Sequence, residues 1–292
     1  MQRLKTTNRT AEEPSPEEIV EALLVETGTA GHLPTDERKL LGYLNLKQLS
    51  FDFAHDVDIL SKAPEIPQRL RAALSLNDRT IVTHSGLDTK RSRFSLLHEV
   101  GHFVLPEHRA RIFLDTDDTL NWFTRIQLEK QANAMAADLI FQGNRFTKES
   151  LDFTLSCKTV LSLAPNYGAS YESALRRYVE RHNLPCALIV YRRVLPGAEE
   201  TDLGDEKYQI HYTISSASFR TSYFSSVESD EAFSKGSEIF KVHGSWNIGN
   251  IVESELIVEH GKRDPWRFDT ELFTNGYKIF QFVVRPTEGH NL

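Results

Sequence analysis

The stretch SRFSLLHEVGHFVL, which runs from Ser92 to Leu105, decides how this chain folds and what it can bind. Ser92 is a plausible N-terminal cap, apolar residues recur along one side at helical spacing, and the stretch stops before Pro106. We therefore predict a helix over this stretch. Its centre, HEVGH at positions 98–102, is an H-E-x-x-H sequence.

The two histidines of this sequence have the spacing of a metal site. Residues four apart share one helical face, so the imidazoles of His98 and His102 can point at a single ion. Glu99 lies beside them and can take a proton from water. The pattern predicts a zinc site with its own general base. The alternative is that both histidines are ordinary core or surface residues and that Glu99 is a solvated charge.

A catalytic zinc also needs a third protein ligand and one open position. Glu129 meets this need, since it lies on a second predicted helix, from Thr119 to Phe141. Asn133 follows one turn later and either orients a ligand by hydrogen bonding or packs between helices. Asp138 is the fallback if Glu129 is an ordinary surface charge. The second helix can approach the first closely because its inward face is small, with alanines at Ala132, Ala136 and Ala137.

The predicted chemistry is peptide hydrolysis. Zinc lowers the pKa of water towards about 7 and polarises the scissile carbonyl, while Glu99 moves the water proton to the leaving amine. His84, which follows a hairpin predicted from Ala72 to Val82, could lie near the cleft and help to stabilise the oxyanion. Because His84 and His108 lack metal spacing with other histidines, the simpler interpretation of each is an ordinary polar residue.

Composition limits the range of functions. The 292 residues exceed what one compact core needs, so we expect about two domains. With a formal net charge of −7, the chain lacks the broad basic surface that favours nonspecific binding to nucleic acid. The two cysteines, Cys157 and Cys186, form no C-x-x-C pair, which suits a reducing compartment. No signal peptide or run of about 18 apolar residues is present, so we expect a cytoplasmic protein without a membrane partner.

The pattern of elements predicts an α+β protein with four segments. Residues 1–13 are expected to be a disordered tail, and residues 14–146 the zinc-binding domain. Residues 147–183 are expected to form a helical connector similar to a helix-turn-helix, and residues 184–292 a separate strand-rich domain.

Within these segments, a helix is predicted from Pro16 to about Thr27, because Ser15 and Glu18 can form a capping box. Further helices are predicted from Thr35 to Leu49, from a cap at Thr147, and on both sides of a glycine-containing turn within residues 161–178. Strands are predicted at Ala187 to Val194, Tyr208 to Ile214, Ile251 to Val258 and Tyr277 to Val284.

Two of these segments resemble the ImmA/IrrE family of zinc metallopeptidases. RFSLLHEVGHF, starting at Arg93, is similar to the family's R-x-F-T-L-x-H-E-x-G-H helix, and EKQANAMAADL, starting at Glu129, to its E-x-x-A-N-x-F-A-A-x-L-L helix. The resemblance covers about residues 35–180. It implies a zincin-like peptidase domain with zinc ligands His98, His102 and Glu129 and with Glu99 as the base. The chain departs from the family pattern at Met135 and at Phe141-Gln142, which we interpret as packing positions.

The resemblance also implies a partner. Members of this family typically cleave a helix-turn-helix repressor encoded beside them, and so release genes for DNA-damage response, mobile-element transfer or phage defence. The layout is similar to that of the peptidases of anti-phage CBASS operons. Residues 184–292 look like the GAF-type sensor domain found in the family, so the activating signal is expected to act there.

The signal could be a small molecule or single-stranded DNA. Aromatic side chains would stack on the bases of such DNA, and basic side chains would pair with its phosphates. The aromatic residues of this segment could instead be core; they are Tyr191, Tyr208, Tyr212, Phe219, Tyr223, Phe224, Trp246 and Trp266. The basic residues are Arg192, Arg193, Arg220, Lys262, Arg263 and Arg267. Three other functions remain open: a general peptidase, an inactive sensor with a peptidase fold, and a DNA-binding regulator that uses residues 147–183 and their APNYGAS turn.

Overall fold

The computed structural model describes residues 14–53, 70–108, 122–194, 207–223, 232–233, 250–260 and 263–286. The chain divides into two compact units, Met1–Gly143 and Asn144–Leu292. Each unit contains helices and a β-sheet, which confirms the α+β class. No helix in the described ranges is both long and apolar enough to cross a membrane. The tail predicted at residues 1–13 lies outside the described residues.

The described residues of the first unit form a small sheet and several helices. The elements in chain order are α1 (Pro16–Glu26), α2 (Glu37–Leu44), β1 (Lys47–Phe51), β2 (Ala72–Ser75), β3 (Thr80–His84), α3 (Thr89–Val104) and α4 (Trp122–Phe141). β3 is central, with β1 parallel on one side and β2 antiparallel on the other. The β2–β3 pair confirms the predicted hairpin. The core of this unit includes the buried side chains of Leu40, Ile81, Leu97, Val100 and Leu139.

The start and end of α1 and α2 follow from local hydrogen bonding. Ser15 and Glu18 form the predicted capping box at the start of α1. The predicted helix from Thr35 to Leu49 was too long, because Asn45 takes a left-handed conformation at φ 52° and ends α2. Asn tolerates this conformation better than most residues. The chain then continues as β1, whose backbone pairs with β3 instead of extending the helix.

The helix α3 was predicted correctly, although its cap was not. Asp88, and not Ser92, caps it by accepting hydrogen bonds from the backbone N–H groups of Lys90 and Arg91 at 3.1 and 3.0 Å. The helix ends before Leu105, which is extended because it precedes a proline.

Close approach of α3 to α4 depends on Gly101. A Cβ atom at this position would lie 3.1 Å from the carbonyl oxygen of Ala132 and 3.2 Å from the Cβ of Met135. These distances are too short for an undisturbed contact, so glycine lets the two helix backbones come together. The short approach brings the inward faces of the two helices to a common cleft.

Gln142, just after α4, was interpreted from sequence as a packing residue, but it is a hydrogen-bonding centre. Its amide nitrogen donates to the carbonyl oxygens of Thr29 and His32 at 3.0 and 2.7 Å, and to Thr35 Oγ1 at 3.2 Å. Its amide oxygen accepts from the Gly31 N–H at 3.0 Å. The side chain therefore fastens the α1–α2 loop to the end of α4.

The second unit contains a six-stranded antiparallel sheet and four described helices. Its elements are α5 (Arg145–Leu151), α6 (Cys157–Leu163), α7 (Tyr171–Arg181), β4 (Ala187–Val194), β5 (Lys207–Ser215), α8 (Ala217–Tyr223), β6 (Ala232–Phe233), β7 (Val252–His260), β8 (Arg263–Thr274) and β9 (Lys278–Pro286). The strand order is β6-β5-β4-β9-β8-β7. The four predicted strands correspond to β4, β5, β7 and β9. The predicted cap at Thr147 was wrong, since this residue lies inside α5.

The predicted helix, turn and helix within residues 161–178 are present as α6 and α7. Gly168 in the turn has φ +61°, a conformation that glycine adopts without steric cost. Both helices belong to the same compact unit as the large sheet. The finer division into a connector at residues 147–183 and a sensor at residues 184–292 stays a prediction.

Side chains of the sheet hold α6 and α7 in place. Glu271 of β8 accepts hydrogen bonds from Ser156 Oγ at 2.9 Å and from the Cys157 N–H at 2.6 Å, at the start of α6. Glu172 of α7 accepts from the Tyr212 hydroxyl and from Lys278 Nζ, both at 2.7 Å. The bonds of Glu271 to Ser156 and of Glu172 to Lys278 each join residues more than 100 positions apart in the sequence, 115 and 106 respectively.

Four of the eight aromatic residues that were considered as a ligand pocket belong to the core. Buried side chains are Tyr191, Tyr208, Phe219 and Tyr223. Tyr212 and Trp266 are half-buried, and Phe224 and Trp246 lie outside the described residues. Cys157 and Cys186 are buried free thiols.

Candidate metal centre

Three potential metal ligands converge where α3 meets α4. His98 Nε2 lies 3.1 Å from His102 Nε2 and 3.1 Å from Glu129 Oε2, and His102 Nε2 lies 3.5 Å from Glu129 Oε1. Metal–ligand bonds of about 2.0–2.2 Å place tetrahedral ligand atoms roughly 3.4 Å apart, so the three side chains fit one ion. Within the described ranges, no other group of three His, Cys, Asp or Glu side chains has this arrangement.

Hydrogen bonds on the far side of each imidazole agree with a metal between them. Asn133 Oδ1 lies 3.0 Å from His98 Nδ1. Because an amide oxygen can only accept, this bond places the His98 proton on Nδ1 and leaves the Nε2 lone pair for an ion. His102 Nδ1 contacts His108 Nδ1 at 2.9 Å, and His108 Nε2 contacts Gln131 Oε1 at 2.9 Å.

Charge in the cleft also suits a cation. The contacts with the imidazoles of His102 and His98 lower the pKa of Glu129, so its carboxylate stays ionised. Burial opposes protonation of His98, but the contact with Glu129 and the charges of Glu99 and Glu129 outweigh it and raise the pKa of His98. Burial raises the pKa of Glu99, which makes this carboxylate a better proton acceptor. Two carboxylates beside two imidazole lone pairs form a donor set that a divalent cation neutralises.

The ligands line a cleft of about 710 Å³ in the first unit. Glu99, Asn133 and Phe94 line the same cleft from α3 and α4, and residues 70–74 line it from β2 and the residues before it. The segment of residues 70–74 and Glu99 thus line one and the same cleft.

The predicted site residues do not all meet at this cleft. His98, Glu99, His102, Glu129 and Asn133 are brought together. His84 is not among the lining residues; its Nδ1 lies 3.4 Å from the carbonyl oxygen of Phe51. Asp138, the fallback ligand, is a buried residue outside the ligand cluster.

Sequence reasoning missed the part played by His108 and Gln131. His108 lies six residues after His102, beyond the end of α3, so helical periodicity gives no signal for their contact. Gln131 is an exposed residue of α4 and has no distinguishing pattern. Burial of a histidine next to a metal motif is visible only once the chain is folded.

The helix pair and its donor set define a zincin-like domain. Residues 54–178 match the family model of the IrrE N-terminal-like domain, of peptidase family M78. This match confirms the resemblance to the ImmA/IrrE family. A solved Mycobacterium tuberculosis transcriptional regulator has a similar fold, with a TM-score of 0.53 and 10% identity over 95% of this chain and 92% of that chain. No curated protein sequence matches the chain significantly.

Proposed function

We propose that the protein is a zinc-dependent endopeptidase that cleaves a helix-turn-helix repressor in response to a stress signal such as DNA damage or phage infection. The observation that carries the proposal is the convergence of His98, His102 and Glu129, with Glu99 in the same cleft. Asn133 supports it, because its hydrogen bond directs the His98 Nε2 lone pair at the other ligands.

Each side chain has a distinct role in this proposal. Zinc, when bound, supplies the Lewis acidity that polarises a peptide carbonyl and makes water more acidic. Glu99 accepts the proton of the attacking water and returns it to the leaving amine. Asn133 holds the ring of His98 in orientation. Burial, which raises the pKa of Glu99, favours the first of these proton transfers.

The edge of the small sheet supports a peptide as substrate. Among the described strands β2 pairs with β3 alone, and its residues Ala72, Ala73 and Leu74 line the cleft. An extended peptide can add to such an edge by backbone hydrogen bonding. We propose that the repressor presents an extended segment here, so that a peptide bond lies beside Glu99.

We propose that the second unit is a GAF-like sensor and that its ligand is a small polar molecule. A cleft of about 1350 Å³ in this unit is lined by the polar residues Ser156 and Thr159, and its charged lining residues are one lysine and three acids, Lys158, Glu253, Asp269 and Glu271. Acidic groups disfavour a phosphate backbone, which argues against single-stranded DNA at this cleft. Two of the basic residues considered for DNA have partners of their own, since Arg220 bonds to the Ser215 carbonyl and Arg267 pairs with Glu255.

A DNA-binding regulator is the second candidate, favoured by the similar fold of a protein named as a transcriptional regulator. The helices α6 and α7, with the tight turn between them, would be the element that contacts DNA. Their packing weighs against it, because α7 buries Leu175, Tyr178 and Val179 and is bonded to the sheet through Glu172. Duplex binding that weakens steeply with salt would support this candidate.

The test combines metal content with cleavage. The protein should hold about one zinc per chain, because its three ligands form a catalytic set. His98→Ala should lose the zinc, whereas Glu99→Gln should keep it. The repressor encoded next to this gene should be cut by the wild type and at least about 100-fold more slowly by Glu99→Gln, which cannot accept a proton.

Glu21→Gln, at an exposed position of α1, is the matched control and should cleave at the wild-type rate. Cleavage by Glu99→Gln at that same rate would refute the proposed base. If unrelated unfolded proteins are degraded as fast as the repressor, the protein is a general peptidase instead.

A further inference from the structure

We infer that His108, held by Gln131, is a positioning residue that fixes the tautomer and the ring orientation of His102. The inference rests on the proposed metal site and extends it, since it assigns a role to two residues outside the ligand set. His102 is a ligand only if its Nε2 carries no proton. The question is therefore which group accepts the proton on Nδ1.

The contacts form a chain that leads away from the cleft. His102 Nδ1 lies 2.9 Å from His108 Nδ1, and His108 Nε2 lies 2.9 Å from Gln131 Oε1. His108 is fully buried, whereas Gln131 is exposed. A buried imidazole with a partner on each ring nitrogen cannot turn without losing a hydrogen bond.

The direction of each bond follows from the chemistry of its ends. Gln131 Oε1 can only accept, so His108 donates from Nε2. A neutral imidazole has one N–H, so His108 Nδ1 is then an acceptor. His102 must donate to it from Nδ1, and its Nε2 keeps the lone pair that faces His98 and Glu129. If any one of these bonds ran in the opposite direction, His102 would carry its proton on Nε2, where the metal is expected to bind.

Local structure explains why His108 reaches His102. The extended residue Leu105 ends α3, and a new helical turn begins at Pro106, with the His108 N–H bonded to the Leu105 carbonyl at 3.1 Å. The chain thus folds back and brings the His108 ring to 4.9 Å from the ring of His102, centre to centre.

The helix α4 therefore supplies the third ligand and also carries the residues that orient the two histidine ligands. Asn133 bonds directly to His98, and Gln131 acts on His102 through His108. Glu129 lies on the same helix and is the third ligand. Outer hydrogen bonds of this kind commonly change metal affinity by about 10–100-fold when they are removed.

The first measurement is the zinc dissociation constant, obtained by competition with a chelator. His108→Leu keeps bulk but offers no acceptor, and should weaken zinc binding by about 10–100-fold. His108→Asn places an amide oxygen near the position of Nδ1 and should restore most of the affinity. His32→Ala, at an exposed position of the same unit, is the control and should bind like the wild type. Thermal unfolding of the metal-free proteins separates loss of fold from loss of affinity.

The second measurement does not depend on zinc. Nitrogen NMR of the metal-free wild type at about pH 9, above the ordinary histidine pKa, should show His102 protonated on Nδ1. Gln131→Met, at an exposed position, should fold normally and should reduce that preference because His108 is no longer fixed.

The inference is overturned if His102 carries its proton on Nε2, or if His108→Leu binds zinc as tightly as the wild type. A wild-type protein that binds no zinc but has the expected tautomer refutes the proposed function and supports the hydrogen-bond chain. Failure of this inference and failure of the proposed function therefore give different results.

Discussion

His182, just after α7, is a histidine that the fold holds neutral. It is buried, its Nδ1 accepts a hydrogen bond from the Leu184 N–H at 3.0 Å, and its ring packs edge-on against Tyr178 at 4.9 Å. Burial lowers the pKa of His182 below its ordinary value. Protonation would both charge a buried ring and remove the acceptor of the Leu184 N–H.

This arrangement predicts a stability that depends on pH. Above about pH 6.5, His182 is neutral in both the folded and the unfolded chain and contributes no pH dependence. As the pH falls through that value, the unfolded chain takes up a proton that the folded chain does not, so the free energy of unfolding decreases. His182→Asn keeps an acceptor but cannot titrate. Denaturant unfolding at several values between about pH 5 and pH 8 should give a flatter dependence for this variant; identical curves for the two proteins would contradict the prediction.

At the level of single residues, the sequence predicted which side chains come together in the cleft. His98, Glu99 and His102 could be placed because four-residue spacing on a helix determines which side chains meet. Glu129 and Asn133 could be placed because they share one face of a second helix whose small residues allow close contact. The contact of His102 with His108 could not be predicted, since it depends on how the chain turns at Leu105 after the helix has ended.

The contact between α3 and α4 is the element-level feature on which the site depends. Gly101→Ala would gain about 1 kcal/mol of helix propensity, but overpacking typically costs about 1–3 kcal/mol. Because the new Cβ would lie 3.1 Å from a backbone oxygen of α4, which cannot move aside alone, we expect a net loss of stability. The separation of the helices should also weaken zinc binding.

Gly42→Ala in α2 is the matched control. A Cβ atom at this exposed position meets nothing within 4 Å, so the substitution should stabilise the protein by about 0.5–1 kcal/mol. Thermal unfolding and zinc titration of the two variants check both statements. Equal stabilisation by the two alanines would show that the helices tolerate separation.

Helices and strands were predicted correctly where the local sequence pattern agrees with the tertiary packing. The capping box of α1 and the hairpin of β2 and β3 are examples. The strand β8 was missed because RDPWRFDTELFT, at positions 263–274, contains a proline and four acidic or basic residues in its first seven, which resembles a loop. Its partners β7 and β9 make it a central strand, and that long-range pairing is invisible in the local sequence.

At the scale of the molecule, the two compact units predict where the chain can be cut. A cut after Gly143 separates the units. A cut near Pro185, at the end of the predicted connector, would instead leave α7 without its sheet. The ring of Tyr178 packs 5.8 Å from that of Phe282, and Glu172 bonds to Lys278, so both contacts would be lost.

We expect both truncated chains to bind zinc, since all three ligands lie in the first unit. Only the chain that ends near Pro185 should expose the apolar face of α7, and it should bind a hydrophobic dye and tend to aggregate. Neither should respond to the signal if the second unit is the sensor. Zinc content, dye fluorescence and repressor cleavage with and without the signal would test this; equal dye binding by both chains would contradict the assigned boundary.

Glu271, which bonds to the start of α6, also affects how readily a cysteine of the second unit reacts with oxidants. A thiol reacts with peroxides or other cysteines as its thiolate. Burial, together with the negative charge of Glu271, raises the pKa of Cys157, and burial raises that of Cys186 to about 12. Both sulfur atoms therefore stay protonated and shielded in the folded chain. Oxidative stress would have to open the second unit before it could modify either cysteine, so a redox signal is a poor candidate for the stimulus that we propose for this unit.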